Sequence, residues 1–292
     1  MKIKAPAKLN LCLEIMGKRP DGYHEISSIF QTVSLFDKID AEPSDEIVLY
    51  TPDFNLPYQD NIIYKTAINM RHEYDVSKGA KIVLQKEIPI SSGLGGGSSD
   101  AASTIKILNR LWDLKLPSKE LSSFASTIGS DVPFFIEGGT SFVSGRGELI
   151  RPLPDLELGW MVIIVPHIAI PDKTATMYSY LDKDHFTSGG LSRKLEARIR
   201  NGGDCPPQLM FNGFFEAALG NQLGLENILS ILEEIGIKEI HLTGSGPSLF
   251  TLINKKEVAT ALSLLLNHKH HIKAFAVENI SRVNSENSLW TL

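Results

Sequence analysis

The segment from Pro89 to Ala102, PISSGLGGGSSDAA, carries the residue pattern best suited to chemistry in this chain. Four of its positions lack a Cβ atom: Gly93, Gly95, Gly96 and Gly97. Backbone amides in such a turn can converge on one ligand and adopt angles that other residues avoid. A helix is predicted from Ser99 onward, and its N-terminus adds about half a positive charge. The segment therefore predicts a site for an anion such as phosphate.

This glycine segment lacks the two common nucleotide-binding patterns. A dinucleotide fold requires G-x-G-x-x-G, but Ser98 occupies the last position of that pattern. The P-loop of nucleoside triphosphatases requires a Lys after the glycines, and none follows them here. A loop used only for tight strand-to-helix packing is the structural alternative. If a triphosphate binds, a cation must come from elsewhere in the chain.

Lys8 is one candidate for that cation. It lies in a segment with strand-like alternation, where burial of an ammonium is costly unless a carboxylate or phosphate compensates it. An edge-strand lysine that only discourages aggregation is an equally good explanation. Asp131 is a candidate partner, although the cap of a helical turn near Pro133 explains this aspartate better on its own. A contact between Lys8 and Asp131 is therefore a hypothesis.

Two further segments could contribute to a site. Tyr23 and His24 could bind a ligand, although a His beside a Tyr is more often structural. The second glycine segment, LTGSGPS from Leu242 to Ser248, joins two predicted strands. It fits a hairpin-like connection and a second phosphate-facing loop equally well.

The first predicted element is a strand that carries Lys8 and Asn10. Its alternation places a set of apolar residues on the opposite face: Leu9, Leu11, Leu13 and Ile15. Pro20-Asp21-Gly22 is a turn signal, so the strand is expected to form a hairpin with the extended segment that follows. A helix is predicted from Asn61 to about Tyr74, with Asp60 as its N-cap.

Later elements indicate a second domain. Two helices are predicted between the glycine segment and Ile128, and the apolar run from Trp160 to Pro166 is typical of a buried strand. Further helices and strands alternate to about Val277. We expect the boundary near residue 155, with domains at 1–155 and 156–292. The apolar run is far shorter than the roughly 20 residues of a membrane helix, so no membrane partner is expected.

The composition of the 292 residues excludes several classes of protein. With 42% hydrophobic and 22% charged residues, the chain resembles ordinary globular proteins. The net charge of −5 argues against binding of nucleic acid through bulk charge. Cys12 and Cys205 are far apart and lack metal-type spacing, which favours a reducing, cytoplasmic location.

Taken together, four segments resemble the GHMP kinases, in order and spacing and over nearly the whole chain. They are Ala5 to Leu13, Arg19 to Glu25, Pro89 to Ala102 and Ile128 to Phe135. The Leu242 to Phe250 segment is similar to the C-terminal glycine motif of that superfamily. Within it, the match is close to the branch that phosphorylates a cytidylylated methylerythritol with ATP and Mg²⁺.

The resemblance implies an α+β fold of two domains with the active site in the cleft between them. The first domain would be ATP-binding and similar to a ribosomal-protein domain, and the second would be ferredoxin-like. The implied ATP-binding residues are Pro89, Ser92, Gly93, Leu94, Gly95, Gly96, Gly97, Ser98 and Ser99, with Asn61 and Lys86 near the adenine.

The resemblance also implies roles for residues outside the glycine segment. Lys8 and Asp131 are similar to the catalytic pair of the family. The implied substrate-binding residues are Asn10, Tyr23, His24 and Thr174. Metal ligands are not identified, and the chain is expected to act as a monomer or homodimer.

Two positions depart from the family pattern. Gly213 follows Asn212 where an acid is common, so the role of that acid is lost. Lys173 stands where a serine is usual, so only Thr174 of this segment carries over.

Three alternative functions remain at the level of sequence. A related kinase could act on another small alcohol, such as homoserine or mevalonate. A non-catalytic nucleotide- or RNA-binding module would require a basic stripe, which the acidic composition does not favour. An oxidoreductase of the dinucleotide-binding class is opposed by Ser98 at the final glycine position.

Overall fold

The computed structural model describes residues 1–52, 58–168, 170–221, 224–282 and 289–291. The chain begins with a long β-hairpin, in which β1 (Lys2–Lys18) pairs antiparallel with β2 (His24–Ser44). The predicted turn at Pro20 to Gly22 joins the two strands, and Gly22 adopts a φ of 88°. The sheet therefore holds Lys8 and Asn10 in the middle of its longest strand pair.

A β-bulge reverses the faces of β1 halfway along the strand. The register shifts between Asn10 and Cys12, so that Leu11 is an extra residue relative to β2. Leu9 and Leu11 pack in one hydrophobic cluster, whereas Leu13 and Ile15 pack in another. The prediction that these four apolar residues share one face is therefore wrong, because a one-residue insertion exchanges the two faces of the strand beyond it.

The first sheet has seven strands among the described residues. Its other members are β3 (Ile47–Tyr50), β4 (Gly79–Gln85), β5 (Thr140–Gly145), β6 (Leu149–Pro152) and β11 (Trp290–Thr291). The main path runs β11-β1-β2-β4-β3, and β5 pairs with both β2 and β6. Its helices are α1 (Ile62–Glu73), α2 (Gly96–Leu111), α3 (Ser118–Ile128) and α4 (Val132–Glu137). Apolar residues of this sheet and these helices form one continuous core.

Helix α1 begins one residue later than predicted. Its N-cap is Asn61, not Asp60, because the Asn61 side chain accepts a hydrogen bond from the Ile63 amide at 2.9 Å. Both Asn and Asp are good N-caps, so adjacent candidates are not separated by residue type alone.

The second sheet has four antiparallel strands in the order β10-β7-β9-β8. They are β7 (Trp160–Val165), β8 (His241–Leu242), β9 (Leu249–Ile253) and β10 (Lys273–Glu278). The helices of this part are α5 (Lys173–Ser179), α6 (Gly190–Arg200), α7 (Phe215–Gly220), α8 (Leu225–Glu234) and α9 (Lys256–His268). Along the chain, β7, α8, β8, β9, α9 and β10 follow the β-α-β-β-α-β order of ferredoxin-like domains. The fold is thus two-domain α+β.

The apolar run from Trp160 forms strand β7 in the interior of this second sheet. The longest described helix, α2, has 16 residues and carries several polar side chains. Within the described ranges, no helix has both the length and the apolar character needed to cross a membrane.

Candidate active site

A large cleft lies where the two sheets and their connecting loops meet. Its volume is about 1390 Å³, larger than the roughly 300–1,000 Å³ of a typical single-ligand pocket. Five lysine or arginine side chains line it against three carboxylates. These are Lys8, Lys18, Lys86, Arg146 and Lys173 against Asp100, Asp131 and Asp172. The cleft is therefore locally basic in an acidic protein and has room for two anionic ligands.

Lys8 and Asp131 meet in this cleft. The Lys8 Nζ atom lies 3.7 Å from Asp131 Oδ2. It also donates a hydrogen bond to Asn10 Oδ1 at 2.6 Å and lies 4.2 Å from the centre of the Phe30 ring. Lys8 is only 3% exposed. The hypothetical contact between a lysine of β1 and an aspartate before α4 is thus present in the folded chain.

The environment of Lys8 leaves part of its charge uncompensated. Burial lowers the pKa of Lys8, and the negative charge of Asp131 opposes that change without cancelling it. Asp131 occupies the N-cap position of α4, but its side chain makes no capping hydrogen bond. The carboxylate is partly exposed and faces the cleft. A second anion beside Lys8 would be stabilised by the remaining positive charge.

The first glycine loop, Gly93 to Ser99, is joined directly to the strand of Lys8. The Lys8 amide donates a hydrogen bond to the Leu94 carbonyl at 2.9 Å. Gly95 has a φ of 72°, and a Cβ there would lie 2.9 Å from Phe135 Cζ and 3.0 Å from Lys8 Cγ. Only a residue without a side chain allows the loop, the lysine and the aromatic ring to approach this closely.

Most of the predicted ATP-binding residues line the cleft, and one does not. Helix α2 begins at Gly96, so its first amides point toward the loop, as at any helix N-terminus. Pro89, Ser92 and every residue from Gly93 to Ser98 line the cleft. Ser99 is fully buried and its amide donates to the Gly95 carbonyl, so this residue lies outside the lining.

Lys86 lines the cleft from a buried ion-pair network. Its Nζ atom donates to Asp37 Oδ2 at 2.5 Å and to Asp100 Oδ2 at 2.8 Å. Although burial lowers the pKa of Lys86, the two carboxylates together raise it. Burial and the charge of Asp37 raise the pKa of Asp100. Asn61 also lines the cleft, with its side-chain oxygen engaged as the cap of α1.

We expect Lys86→Met to destabilise the protein by about 3 kcal/mol, because two buried carboxylates would lose the cation between them. The exposed Lys38, which pairs with Glu87 at 2.6 Å, provides the matched control, and Lys38→Met should change stability little. The positive charge of Lys86 lowers the pKa of Asp100 against burial and Asp37, so its loss should raise that pKa further, and the variant should lose more stability than the wild type as pH rises. The Lys86→Met deficit in urea unfolding should therefore be larger at pH 7 than at pH 5; equal deficits at both pH values would contradict this explanation.

Asn10 connects the lysine to the second glycine loop. Its Oδ1 atom accepts hydrogen bonds from Lys8 Nζ and from the Gly244 amide at 2.9 Å. Its backbone amide donates to Thr243 Oγ1 at 3.0 Å, and its side-chain amide donates to Ser28 Oγ at 3.0 Å. Asn10 thus lines the cleft, as expected of a substrate-binding residue, and its side chain also links Lys8 to the second glycine loop.

The second glycine loop, Leu242 to Ser248, is a strand connection, as one of its two interpretations predicted, and it also faces the cleft. It connects the antiparallel strands β8 and β9, and Gly244 and Ser245 line the cleft. The two glycine loops touch, since a Cβ on Gly244 would lie 2.8 Å from the Gly93 carbonyl oxygen. Each loop therefore holds the other in place.

An aromatic corner occupies one end of the cleft. The His24 ring stacks on Tyr178 with 4.4 Å between centroids, and Phe186 meets His24 edge-on at 6.0 Å. Tyr23 is 55% exposed, with the Arg146 guanidinium 4.6 Å from its ring centre. Burial and the charge of Lys18 lower the pKa of His24, which favours the neutral ring. Flat aromatic surfaces with a neutral imidazole suit a planar heterocycle.

The predicted residue Thr174 lines the cleft from the first turn of α5, and its neighbour Lys173 was missed. Lys173 departs from the family pattern, so the resemblance carried no role for it. Tyr178 and Arg146 were also missed, since single aromatic or basic residues give no signal without the fold. Thr174 and Tyr178 are four residues apart, and this helical spacing places both side chains on the same face of α5. That spacing is the one sequence pattern that could have indicated Tyr178.

Comparison with known proteins agrees with this geometry. Residues 61–139 match the family described as the GHMP kinases N terminal domain. A 4-diphosphocytidyl-2-C-methyl-D-erythritol kinase from Dehalococcoides mccartyi is 38% identical over 96% of this chain and 98% of its own. The enzyme of the same name from Bacillus cereus is 36% identical over 86% of this chain and 88% of its own.

A solved structure extends the similarity to the whole fold. The crystal structure of a 4-(cytidine 5'-diphospho)-2C-methyl-D-erythritol kinase has a TM-score of 0.81 and 29% identity. The match covers 96% of this chain and 99% of that one. The described cleft, its two glycine loops and these similarities lead to one assignment: the chain belongs to the 4-diphosphocytidyl-2-C-methyl-D-erythritol kinase family of the GHMP kinases.

Proposed function

We propose that this chain transfers the γ-phosphoryl group of ATP to the 2-hydroxyl of 4-diphosphocytidyl-2-C-methyl-D-erythritol, giving the 2-phosphate and ADP. This reaction belongs to the non-mevalonate route to isoprenoid precursors. The observation that carries the proposal is the pairing of Lys8 with Asp131 at 3.7 Å beside the first glycine loop. A carboxylate next to a cation and an anion-binding loop has the components that phosphoryl transfer to an alcohol requires.

Each member of the pair has a defined role in this mechanism. Asp131 orients the substrate hydroxyl and accepts its proton as the oxygen–phosphorus bond forms. The bond between the γ-phosphorus and the β-phosphate oxygen breaks, and the electron pair leaves with ADP. Lys8 pairs with Asp131 and neutralises charge on the transferring group. Positioning and electrostatics supply most of the catalysis, because the transition state is loose.

The two ligands fit at different ends of the cleft. In the proposal, the loop from Gly93 to Ser98 holds the ATP phosphates, with Asn61 and Lys86 toward the adenine. Tyr23, His24 and the Tyr178 ring offer the flat surfaces that a cytosine requires, which supports a cytidine-bearing substrate. Thr174, exposed at the start of α5, is proposed to face the sugar or alcohol part.

Mg²⁺ is part of the proposal as a partner of the triphosphate. Among the described residues, no group of three or more His, Cys, Asp and Glu side chains could hold a metal. Phosphate-bound Mg²⁺ requires fewer, since it keeps several waters and uses one or two carboxylates. We assign no protein ligand to the ion, because Asp100, the carboxyl nearest the first glycine loop in sequence, is buried and paired with Lys86 at 2.8 Å. The ion would neutralise charge on the β- and γ-phosphates.

The domain boundary, the cellular location and the oligomeric state are further parts of the proposal. We assign residues 1–155 to an ATP-binding domain and 156–292 to a second domain. Cys12 and Cys205 are both free and buried, which is compatible with a cytoplasmic location. A monomer or homodimer is sufficient, since every residue of the proposed mechanism belongs to one chain.

ADP release with ATP and Mg²⁺ tests this function across a panel of alcohols. The panel contains 4-diphosphocytidyl-2-C-methyl-D-erythritol, 2-C-methyl-D-erythritol 4-phosphate, homoserine and mevalonate. We expect the cytidylylated alcohol to exceed each of the others in kcat/KM by about 10³-fold, because polar groups that bind the base are unpaired with the other substrates. Comparable turnover of homoserine or mevalonate would instead identify a different small-alcohol kinase.

A further inference from the structure

Lys173 is a cation of the cleft that the proposed mechanism does not use. It is the first residue of α5, in the second domain, and its side chain is half-buried. Its Nζ atom donates a hydrogen bond to the Gly246 carbonyl at 2.7 Å. A Cβ placed on Gly93 would lie 2.8 Å from that same carbonyl oxygen. The ammonium of Lys173 is therefore held where the two glycine loops touch.

Among the described residues, Lys173 has no carboxylate partner. Lys8 has Asp131 at 3.7 Å, and Lys86 lies between Asp37 and Asp100. In the described part of the chain, no carboxylate oxygen lies within 4.0 Å of Lys173 Nζ. An ammonium uses three donors, and its contact with Gly246 occupies one of them. The arrangement leaves a partly desolvated cation directed toward an anion that arrives with a ligand.

The position of Lys173 indicates which anion this is. Burial and the positive charge of Lys8 lower the pKa of Lys173 to about 8, while the negative charge of Asp131 raises it. Lys173, Lys8 and Asp131 also line the same cleft, so Lys173 interacts electrostatically with both members of the Lys8–Asp131 pair. The transferring phosphoryl group must lie beside Asp131, because Asp131 acts on the attacking hydroxyl. A cation that faces Asp131 and Lys8 from the second domain therefore also faces the γ-phosphoryl group.

We propose that Lys173 is a further catalytic residue, which contacts the γ-phosphoryl oxygens of ATP as a second cation beside Lys8. The proposal rests on the phosphoryl transfer proposed above. Lys173 forms no covalent bond; it stabilises the negative charge that spreads over the equatorial oxygens in the transition state. It also ties the second domain to the triphosphate, since α5 and the second glycine loop both belong to that domain.

The binding of a triphosphate against a diphosphate separates this role from a structural one. Calorimetric titration with β,γ-imido-ATP and with ADP, both with Mg²⁺, compares the wild type with Lys173→Met. We expect the variant to bind the triphosphate about 10-fold or more weakly, since charge-assisted hydrogen bonds contribute on this scale. Binding of ADP should change less than 3-fold. Equal weakening of both ligands, or of neither, would overturn the proposal.

Two further variants test the charge itself. Lys173→Arg retains a cation and should bind the triphosphate within about 3-fold of the wild type. Lys173→Gln retains a hydrogen-bond donor for the Gly246 carbonyl but not the charge, so it should bind the triphosphate as weakly as Lys173→Met. If Lys173→Gln binds the triphosphate normally, the lysine only tethers the loop, and the proposal fails. Lys119→Met, in the exposed first turn of α3, is the matched control for loss of a lysine.

The pH profile gives an independent readout. Because the charged form of Lys173 is lost as pH rises through about 8, kcat/KM for ATP should fall above that pH, and Lys173→Arg should move this limb upward. The charged groups that act on Lys173 are Lys8 and Asp131. Tyr178 lies on the same helix as Lys173, and burial raises its pKa to about 12, so its hydroxyl is neutral in this pH range. An unchanged high-pH limb in Lys173→Arg would contradict the proposal.

The proposed function and the role of Lys173 can fail separately. If the wild type phosphorylates none of the panel alcohols, the proposed function fails, while the titrations still decide whether Lys173 binds the γ-phosphate.

Discussion

Lys8→Met and Asp131→Asn should each lower kcat by about 10³-fold with the fold intact, because both groups act on charge that develops in the transition state. Methionine replaces the buried lysine with a side chain of similar length, which limits the change in packing. Steady-state ADP release at saturating ATP measures kcat, and circular dichroism reports the fold. Because the pair acts as a unit, the double variant should lose little more than either single variant.

The same strand supplies the control for this prediction. Lys4 also lies on β1, with its Nζ 5.3 Å from the Phe36 ring centre, but it is outside the cleft lining. Lys4→Met should therefore retain nearly full activity. Turnover within 10-fold of the wild type in both Lys8→Met and Asp131→Asn would remove the catalytic role of the pair.

Gly93→Ala should lower kcat/KM for ATP by about 10²-fold, because displacement of a positioning loop by roughly 1 Å costs this much. The added Cβ would lie 2.6 Å from the Thr243 carbonyl oxygen and 2.8 Å from the Gly246 carbonyl oxygen. Both are backbone atoms that cannot rotate away. The residue also has a φ of 88°, which alanine adopts only with strain. The two glycine loops must therefore separate, and the contact that positions Lys173 moves with them.

Gly190→Ala, at the start of α6 and outside the cleft lining, is the matched control for an added methyl group. A Cβ on Gly190 would lie 3.5 Å from Ser188 Oγ, which is an ordinary contact distance. We expect its kcat/KM for ATP to stay within about 3-fold of the wild type. Similar losses in Gly93→Ala and Gly190→Ala would show that the contact between the loops is not the cause.

Local patterns in the sequence were sufficient for much of the fold. The turn signal at Pro20 to Gly22 predicted the hairpin of β1 and β2, and the four glycines predicted the loop before α2. The apolar run from Trp160 became the strand β7. These features depend on backbone angles and hydrophobic period within a few residues, which composition and spacing encode directly.

Features that depend on tertiary contact were not predictable from spacing. The bulge at Leu11 exchanges the faces of β1, and nothing in the alternation of its residues marks the insertion. Asp131 had a simple explanation as a helix cap; its pairing with Lys8 was implied by the family resemblance and not by spacing, and the fold shows the contact. Lys173 is held in the cleft by a hydrogen bond to the Gly246 carbonyl, and Gly246 is distant from it in the sequence.

Transfer of radiolabel from [γ-³²P]ATP tests the central claim most directly. With 4-diphosphocytidyl-2-C-methyl-D-erythritol, homoserine and mevalonate competing in one reaction, the wild type should place the label on the 2-hydroxyl of the cytidylylated alcohol. Asp131→Asn should leave nearly all of it on ATP over the same time. Label that appears on homoserine, mevalonate or water, or transfer by Asp131→Asn at the rate of the wild type, would contradict the account.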